Sequence, residues 1–273
     1  MNTPICNPLE MREVFHLEFL RWFGRKLEAG RYVLKGGVNL RLFFKSIRYS
    51  ADMDIDIKRA GLEKIKKTVM EILEARGLAV SLKSFGIERI IAPNLEKAKQ
   101  TETTQRFSAT KRSGSAAYFG GKIHLLTAAG EDLFTKIEFS RRGLEGSQVV
   151  EPVGSEILRA YKMAPLVVSH YDVVSAVAQK IQALAERSVL QARDIFDLFI
   201  LSSQCEESDQ SRLKMSRSIL KTAYDHIFLV EFPQFRDTVV AYLRAEDQKA
   251  YSPPAVWDEI KLKTARFLEG FKR

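Results

Sequence analysis

At 273 residues the chain is long enough for one large domain or two small ones with ample core, and its balance of 45% hydrophobic to 28% charged residues is that of a globular protein. The net charge of +9, from 43 Lys and Arg against 34 Asp and Glu, favours a polyanionic partner such as nucleic acid or nucleotide phosphate, although a basic surface also occurs on proteins that bind neither. No apolar run approaches the roughly 18 residues of a membrane span. The first residues lack the basic and apolar regions of a secretory signal, and Cys6 and Cys205 supply neither a disulfide framework nor a zinc site, so a cytoplasmic protein with no membrane partner is expected.

In chain order, apolar residues near helical spacing predict a helix over 11–29, with Gly30 as its stop. Tyr32-Val33-Leu34 reads as a short strand, 38–44 as a short helix and 52–57 as a half-buried strand, giving strand, glycine turn, helix, strand. Residues 62–76 form an amphipathic pattern ending near Gly77, and 78–85 and 87–92 read as strands. The polar, basic stretch 94–114 reads as a loop or a long hairpin edge, whereas 116–119, 122–126 and 134–140 read as extended. After Pro165 the pattern turns helical, over 172–201, 211–223, 235–243 and 255–271, with Pro233 and Pro253-Pro254 as breaks. The expected fold is α+β, a mixed sheet with flanking helices (1–165) followed by a C-terminal helical bundle (166–273).

Chemistry concentrates in Lys35-Gly36-Gly37-Val38-Asn39-Leu40-Arg41-Leu42 and the later Arg48-Tyr49-Ser50-Ala51-Asp52-Met53-Asp54-Ile55-Asp56. Residues two apart on a strand share a face, so Asp52, Asp54 and Asp56 project from one side. Such crowding of like charge calls for a cation, and hard carboxylate oxygens suit Mg²⁺. Gly36 and Gly37, lacking Cβ atoms, let backbone N–H groups approach a phosphate at a helix N-terminus. Together these are the parts of phosphoryl or nucleotidyl transfer. The competing reading is a solvated edge strand whose alternating charges prevent aggregation.

Gly-Gly, a short helix, then Arg-x-Ser-x-Asp-hydrophobic-Asp resembles the nucleotidyltransferase AbiEii family, the toxin half of type IV toxin–antitoxin systems. That family lies within the DNA polymerase β-like nucleotidyltransferase superfamily. Lys180 and Arg193-Asp194-Ile195-Phe196-Asp197-Leu198 match a helix lysine and a second motif of the same family. The resemblance implies that Asp52 and Asp54 hold a catalytic Mg²⁺ or Mn²⁺, and that Gly36 and Gly37 lie against the phosphates of an NTP. It implies also that Lys180 contacts nucleotide phosphate, while Asp194, or else Asp197, is catalytic or holds that lysine. Arg48 reads as a phosphate or carboxylate partner and Ser50 as a phosphate contact.

Superfamily enzymes carry a third carboxylate on a neighbouring strand, where it ligates metal or takes the acceptor hydroxyl's proton. Glu138, alternating with Lys136, is the candidate, against the reading of an exposed Lys–Glu pair. For Asp194 and Asp197 taken alone, capping and an Arg193–Asp197 ion pair explain the residues as well. The four histidines, His16, His124, His170 and His226, form no zinc or triad spacing.

The reaction expected is transfer of a nucleoside monophosphate from NTP to an acceptor hydroxyl, with the helical domain completing the nucleotide and acceptor site. The acceptor implied is RNA, in particular a tRNA 3′ end, and the partner an antitoxin encoded nearby. Two rivals are a small-molecule acceptor such as an antibiotic, and a non-catalytic module that binds RNA or protein through its basic face.

Overall fold

The computed structural model describes residues 6–58, 61–93, 118–140 and 146–271. In chain order the elements are α1 (Pro8–Lys26), β1 (Tyr32–Lys35), α2 (Gly36–Phe43), β2 (Asp52–Ile57), α3 (Leu62–Leu73), α4 (Arg76–Lys83), β3 (Ile87–Ile91), β4 (Tyr118–Thr127) and β5 (Asp132–Ser140). There follow β6 (Gln148–Pro152), α5 (Ser155–Ala160), β7 (Val167–Tyr171), α6 (Val173–Glu186), α7 (Ala192–Ser202), α8 (Glu207–Arg212) and α9 (Arg217–Ile227). The chain closes with α10 (Phe232–Thr238), a 3₁₀ turn (Val240–Tyr242), α11 (Ala245–Tyr251) and α12 (Pro254–Gly270). The expected α+β fold, mixed sheet first and helices second, is the one formed.

Two compact units result, one from Met1–Val38 and Ser50–His170, the other from Asn39–Tyr49 and Tyr171–Arg273. The first is built on a seven-stranded sheet of order β3-β4-β5-β2-β1-β7-β6. In it β2 runs antiparallel to β1 and parallel to β5, with Asp54 opposite both Lys35 and Glu138. The apolar alternates Met53, Ile55, Ile57, Ile137 and Phe139 are buried, which fixes the register and turns the charged alternates to the other face.

Helix α1 packs under this sheet. Asn7 caps it in a capping box with Glu10, satisfying N–H groups that would otherwise be orphaned. Phe15, Phe19 and Phe23, one helical turn apart, are fully buried, and the Phe23 ring meets Tyr32 and Phe139 at centroid distances of 5.0 and 5.7 Å. Burying each such side chain contributes about 1.5–3 kcal/mol.

The expected strand at 78–85 is instead helix α4. Leu78, Val80 and Leu82 fit a strand's period of two, but Leu78 and Leu82 also stand one helical turn apart, and both are buried while Val80 is exposed. The basic stretch 94–114 lies outside the described residues.

In the second unit α6, α7, α9, α10 and α12 share one core, in which Phe196, Phe235 and Trp257 are buried and the Phe235 and Trp257 rings stack at 4.4 Å. The segment 39–49, which sequence alone places with the first half, contributes Leu40, Phe44 and Ile47 to that core. Among the described residues no helix is long and apolar enough to cross a membrane.

Candidate active site

Chain geometry brings the carboxylates together on one face of the first unit's sheet. Asp52 and Asp54 are two apart on β2, and Glu138 lies directly beside Asp54 on β5. Asp52 accepts a hydrogen bond from the Lys136 backbone N–H at 3.1 Å, while the Ser50 hydroxyl donates to the Asp52 carbonyl at 2.8 Å and braces the start of the strand. Behind this turn Thr135 donates to the Ala51 carbonyl and bonds the buried His16 ring, each at 2.7 Å.

Gly36 follows β1 at φ +68, a left-handed conformation that side chains resist. A Cβ built there would stand 2.6 Å from Asp54 Oδ2, so the carboxylate occupies the space a side chain would fill. Gly120 plays the same part on β4, where a Cβ would meet the Ile137 carbonyl at 2.8 Å and the Glu138 backbone and side chain beyond it. The glycines open room around the carboxylates rather than merely turning the chain.

Burial, the Asp54 charge with a hydrogen bond to it, and the Asp52 charge together push Glu138 up to about 7, with Lys35 opposing. Lys136 pairs with the same carboxylate. Asp56, the third alternate on β2, has a different fate. It is buried and tied to the Lys35 ammonium and the Ser140 hydroxyl, with Lys35 also donating to Ser140 at 2.8 Å.

Among the described residues no group of three or more His, Cys, Asp or Glu side chains stands placed to hold a metal ion. Asp52 and Asp54 do present the chemistry Mg²⁺ takes, one or two carboxylates completed by phosphate oxygens and water. Glu138 is raised first by burial and then by the Asp54 and Asp52 charges beside it, repulsion that a cation bound among the three would relieve.

The second unit holds its own ionic cluster. Asp194 and Asp197 share one face of α7, and both are 0% exposed. Lys180 of α6 reaches Asp194 at 2.9 Å and Asp197 at 2.6 Å. Arg48 grips Asp197 from the other side, its Nη2 at 3.0 and 3.1 Å from the two oxygens, and Arg187 closes on Asp194 at 2.9 Å. Burial drives the Lys180 ammonium down, but the two aspartates outweigh it and leave its pKa raised. Likewise burial raises Asp197, but Arg48 and Lys180 more than reverse that and leave it lowered. Three cations thus face two carboxylates, and the cluster carries one net positive charge.

Asp52, Asp54, Glu138, Gly36 and Gly37 therefore fall in the first unit. Lys180, Asp194 and Arg48 fall in the second, where Arg48 takes a carboxylate as its partner. Sequence reasoning passed over Lys35, Gly120 and Arg187. The adjacency of Lys35 to the Gly-Gly pair was the one available signal; Gly120 and Arg187 carry none outside their three-dimensional neighbours.

Among solved structures the chain is similar to MenT4, a nucleotidyltransferase toxin from Mycobacterium tuberculosis H37Rv, at 20% identity and a TM-score of 0.55, with 96% of this chain and 84% of that one covered. It is also similar to JHP933 from Helicobacter pylori, at 14% identity and a TM-score of 0.53, covering 98% and 94% of the two chains. These likenesses show the fold. Comparison with curated proteins gave no match. The family model for the nucleotidyl transferase AbiEii toxin of type IV toxin–antitoxin systems matches residues 18–266. The chain belongs to that family and is a nucleotidyltransferase.

Proposed function

We propose that the protein moves a nucleoside monophosphate from an NTP to the 3′ hydroxyl of RNA, the tRNA 3′ end in particular, and that an antitoxin encoded beside it opposes this activity. The observation that carries the reading is the carboxylate face, where Asp54 lies against the opened Gly36 turn with Glu138 beside it and Asp52 two residues before it on the strand.

In this reading Asp52 and Asp54 would hold a divalent ion, Mg²⁺ or Mn²⁺, which when bound neutralises phosphate charge and lowers the barrier to attack. Glu138, with a carboxyl pushed up to about 7, suits proton acceptance near neutral pH. Its carboxylate takes the proton of the acceptor hydroxyl as that oxygen bonds to the α-phosphorus. The bond from the α-phosphorus to the bridging oxygen breaks, and pyrophosphate leaves. Backbone N–H groups after Gly36 and Gly37 meet the phosphates. In the second unit Asp194 and Asp197 hold the Lys180 ammonium. The net positive charge of that cluster and the +9 of the whole chain both favour polyanionic ligands.

The test is label transfer from α-³²P-NTP to total RNA and to purified tRNA. Asp52→Ala should abolish labelling with the fold intact, and retained labelling would remove Asp52 from the site. Wild-type protein that labels only small acceptors would overturn the RNA assignment.

A further inference from the structure

Strand β5 extends past the carboxylates. Residues 136–140 pair with β2, whereas 132–135 have, among the described residues, ladder partners only on β4. On this overhang Phe134 stands on the same face as Glu138, four residues away, or about 13 Å along the strand. It is 48% exposed, although its neighbours Leu133 and Thr135 are buried. Two cations converge on it. The Lys122 ammonium, from β4, sits 3.8 Å from the ring centroid. The Arg12 guanidinium lies 6.0 Å from it and donates to the Phe134 carbonyl at 2.8 Å. Lys122 is itself opposite Lys136 across the ladder. Of the acidic residues at this end, Asp132 is bonded to His124 at 3.0 Å and Glu131 lies exposed in the turn before it.

We propose that this overhang, centred on Phe134 with Lys122 and Arg12, is the platform that receives the single-stranded 3′ segment of the RNA acceptor. The inference rests on the RNA reading given above. An exposed aromatic ring among cations is how single strands are held without sequence preference, the ring stacking on a base and the cations tracking phosphate. At about 3.4 Å per stacked base the distance to Glu138 accommodates about four nucleotides. The terminal hydroxyl then reaches the carboxylates while bases behind it rest on the ring. A lone exposed phenylalanine needs no explanation. One with two cations drawn to it, in line with the reacting carboxylates, has the complement of a polyanionic strand.

The experiment is fluorescence anisotropy of a labelled 12-nucleotide single-stranded RNA with a free 3′ hydroxyl, on the full chain at two salt concentrations, run beside label transfer to the same RNA. Phe134→Ala should weaken binding about ten-fold, and Phe134→Tyr should restore it. Lys122→Glu should weaken binding and lower the salt slope by about one. KM for RNA should rise in both weakened variants more than kcat falls. Both substitutions lie on the surface and should move the melting temperature by no more than about 2 °C. If wild type labels RNA but both variants bind it as wild type does, the platform is rejected and the RNA reading stands. If wild type neither binds nor labels RNA, the RNA reading falls, and the platform with it.

Discussion

Removing the Asp197 carboxylate tests whether the second unit's core depends on its ionic cluster. Asp197 is 0% exposed and Arg48 5% exposed, so neither can turn to water when its partner is lost. In Asp197→Ala, Lys180 keeps Asp194, but Arg48 loses both oxygens at 3.0 and 3.1 Å and cannot shed its charge. Breaking a buried pair from one side costs about 3–5 kcal/mol, because the cost is the stranded charge rather than the bond. For a chain of this size that is a fall of about 6–20 °C in melting temperature. Urea unfolding followed by fluorescence reads it, since Trp257 is buried in the second unit and Trp22 lies in the first. The double substitution Arg48→Met with Asp197→Leu should recover much of the loss, as an apolar pair of similar volume leaves nothing unpaired. Asp197 is held below its ordinary 3.8 by Arg48 and Lys180 against the push of burial. A lowered carboxylate adds stability above its unfolded pKa and loses it as pH falls through the folded one. The gap between wild type and Asp197→Ala should therefore stay open from pH 5 to pH 8 and narrow below about pH 4. A single variant within about 1 kcal/mol of wild type, or a double variant no better than the single, would refute the reasoning.

Two further outcomes follow from the first unit. Glu138, pushed up to about 7, favours folding while protonated and opposes it once ionised, so its contribution is present below about pH 4.5 and lost as pH rises through 7. Without divalent ions, Glu138→Gln should flatten the fall in melting temperature between pH 5 and 8; an unchanged profile would show the carboxyl is not perturbed. Gly36→Ala forces a Cβ to within 2.6 Å of Asp54 Oδ2 at φ +68, displacing the carboxylate. Label transfer should drop at least about a hundred-fold, with stability down by only about 1–3 kcal/mol.

Strand β2 could be read to the residue because its alternation is strict and both faces are chemically distinct. Helix α4 could not, since three apolar residues at spacing two satisfy either period until the rest of the core chooses. Strand β7, Val-Val-Ser-His-Tyr, is too short to announce itself, and its partner β1 lies over 130 residues earlier in the chain. For the site, the aspartates and glycines carried local signals that a motif can hold. The grip of Arg48 on Asp197 spans 149 residues, and nothing in either segment points to the other. The i, i+4 pairing of Arg193 with Asp197 was the natural local expectation. Asp197 is instead held by Arg48 and Lys180, because it faces the buried side of α7.

The three aspartates of β2 show how register assigns chemistry to like residues. All three share one face by the strand's period, so spacing alone makes them equivalent. What separates them is the neighbour across each ladder. Asp52 sits opposite Lys136, whose backbone N–H it accepts. Asp54 sits between Lys35 on β1 and Glu138 on β5, with no Cβ at Gly36 to crowd it. Asp56 sits opposite Ser140, and the Lys35 side chain crosses to it, so its charge is already balanced in the fold. Asp52, Asp54 and Glu138 thus gather on one patch of the sheet face, set apart from the balanced Asp56. Lys35 sharpens that division, since its ammonium neutralises the buried Asp56 carboxylate within the fold.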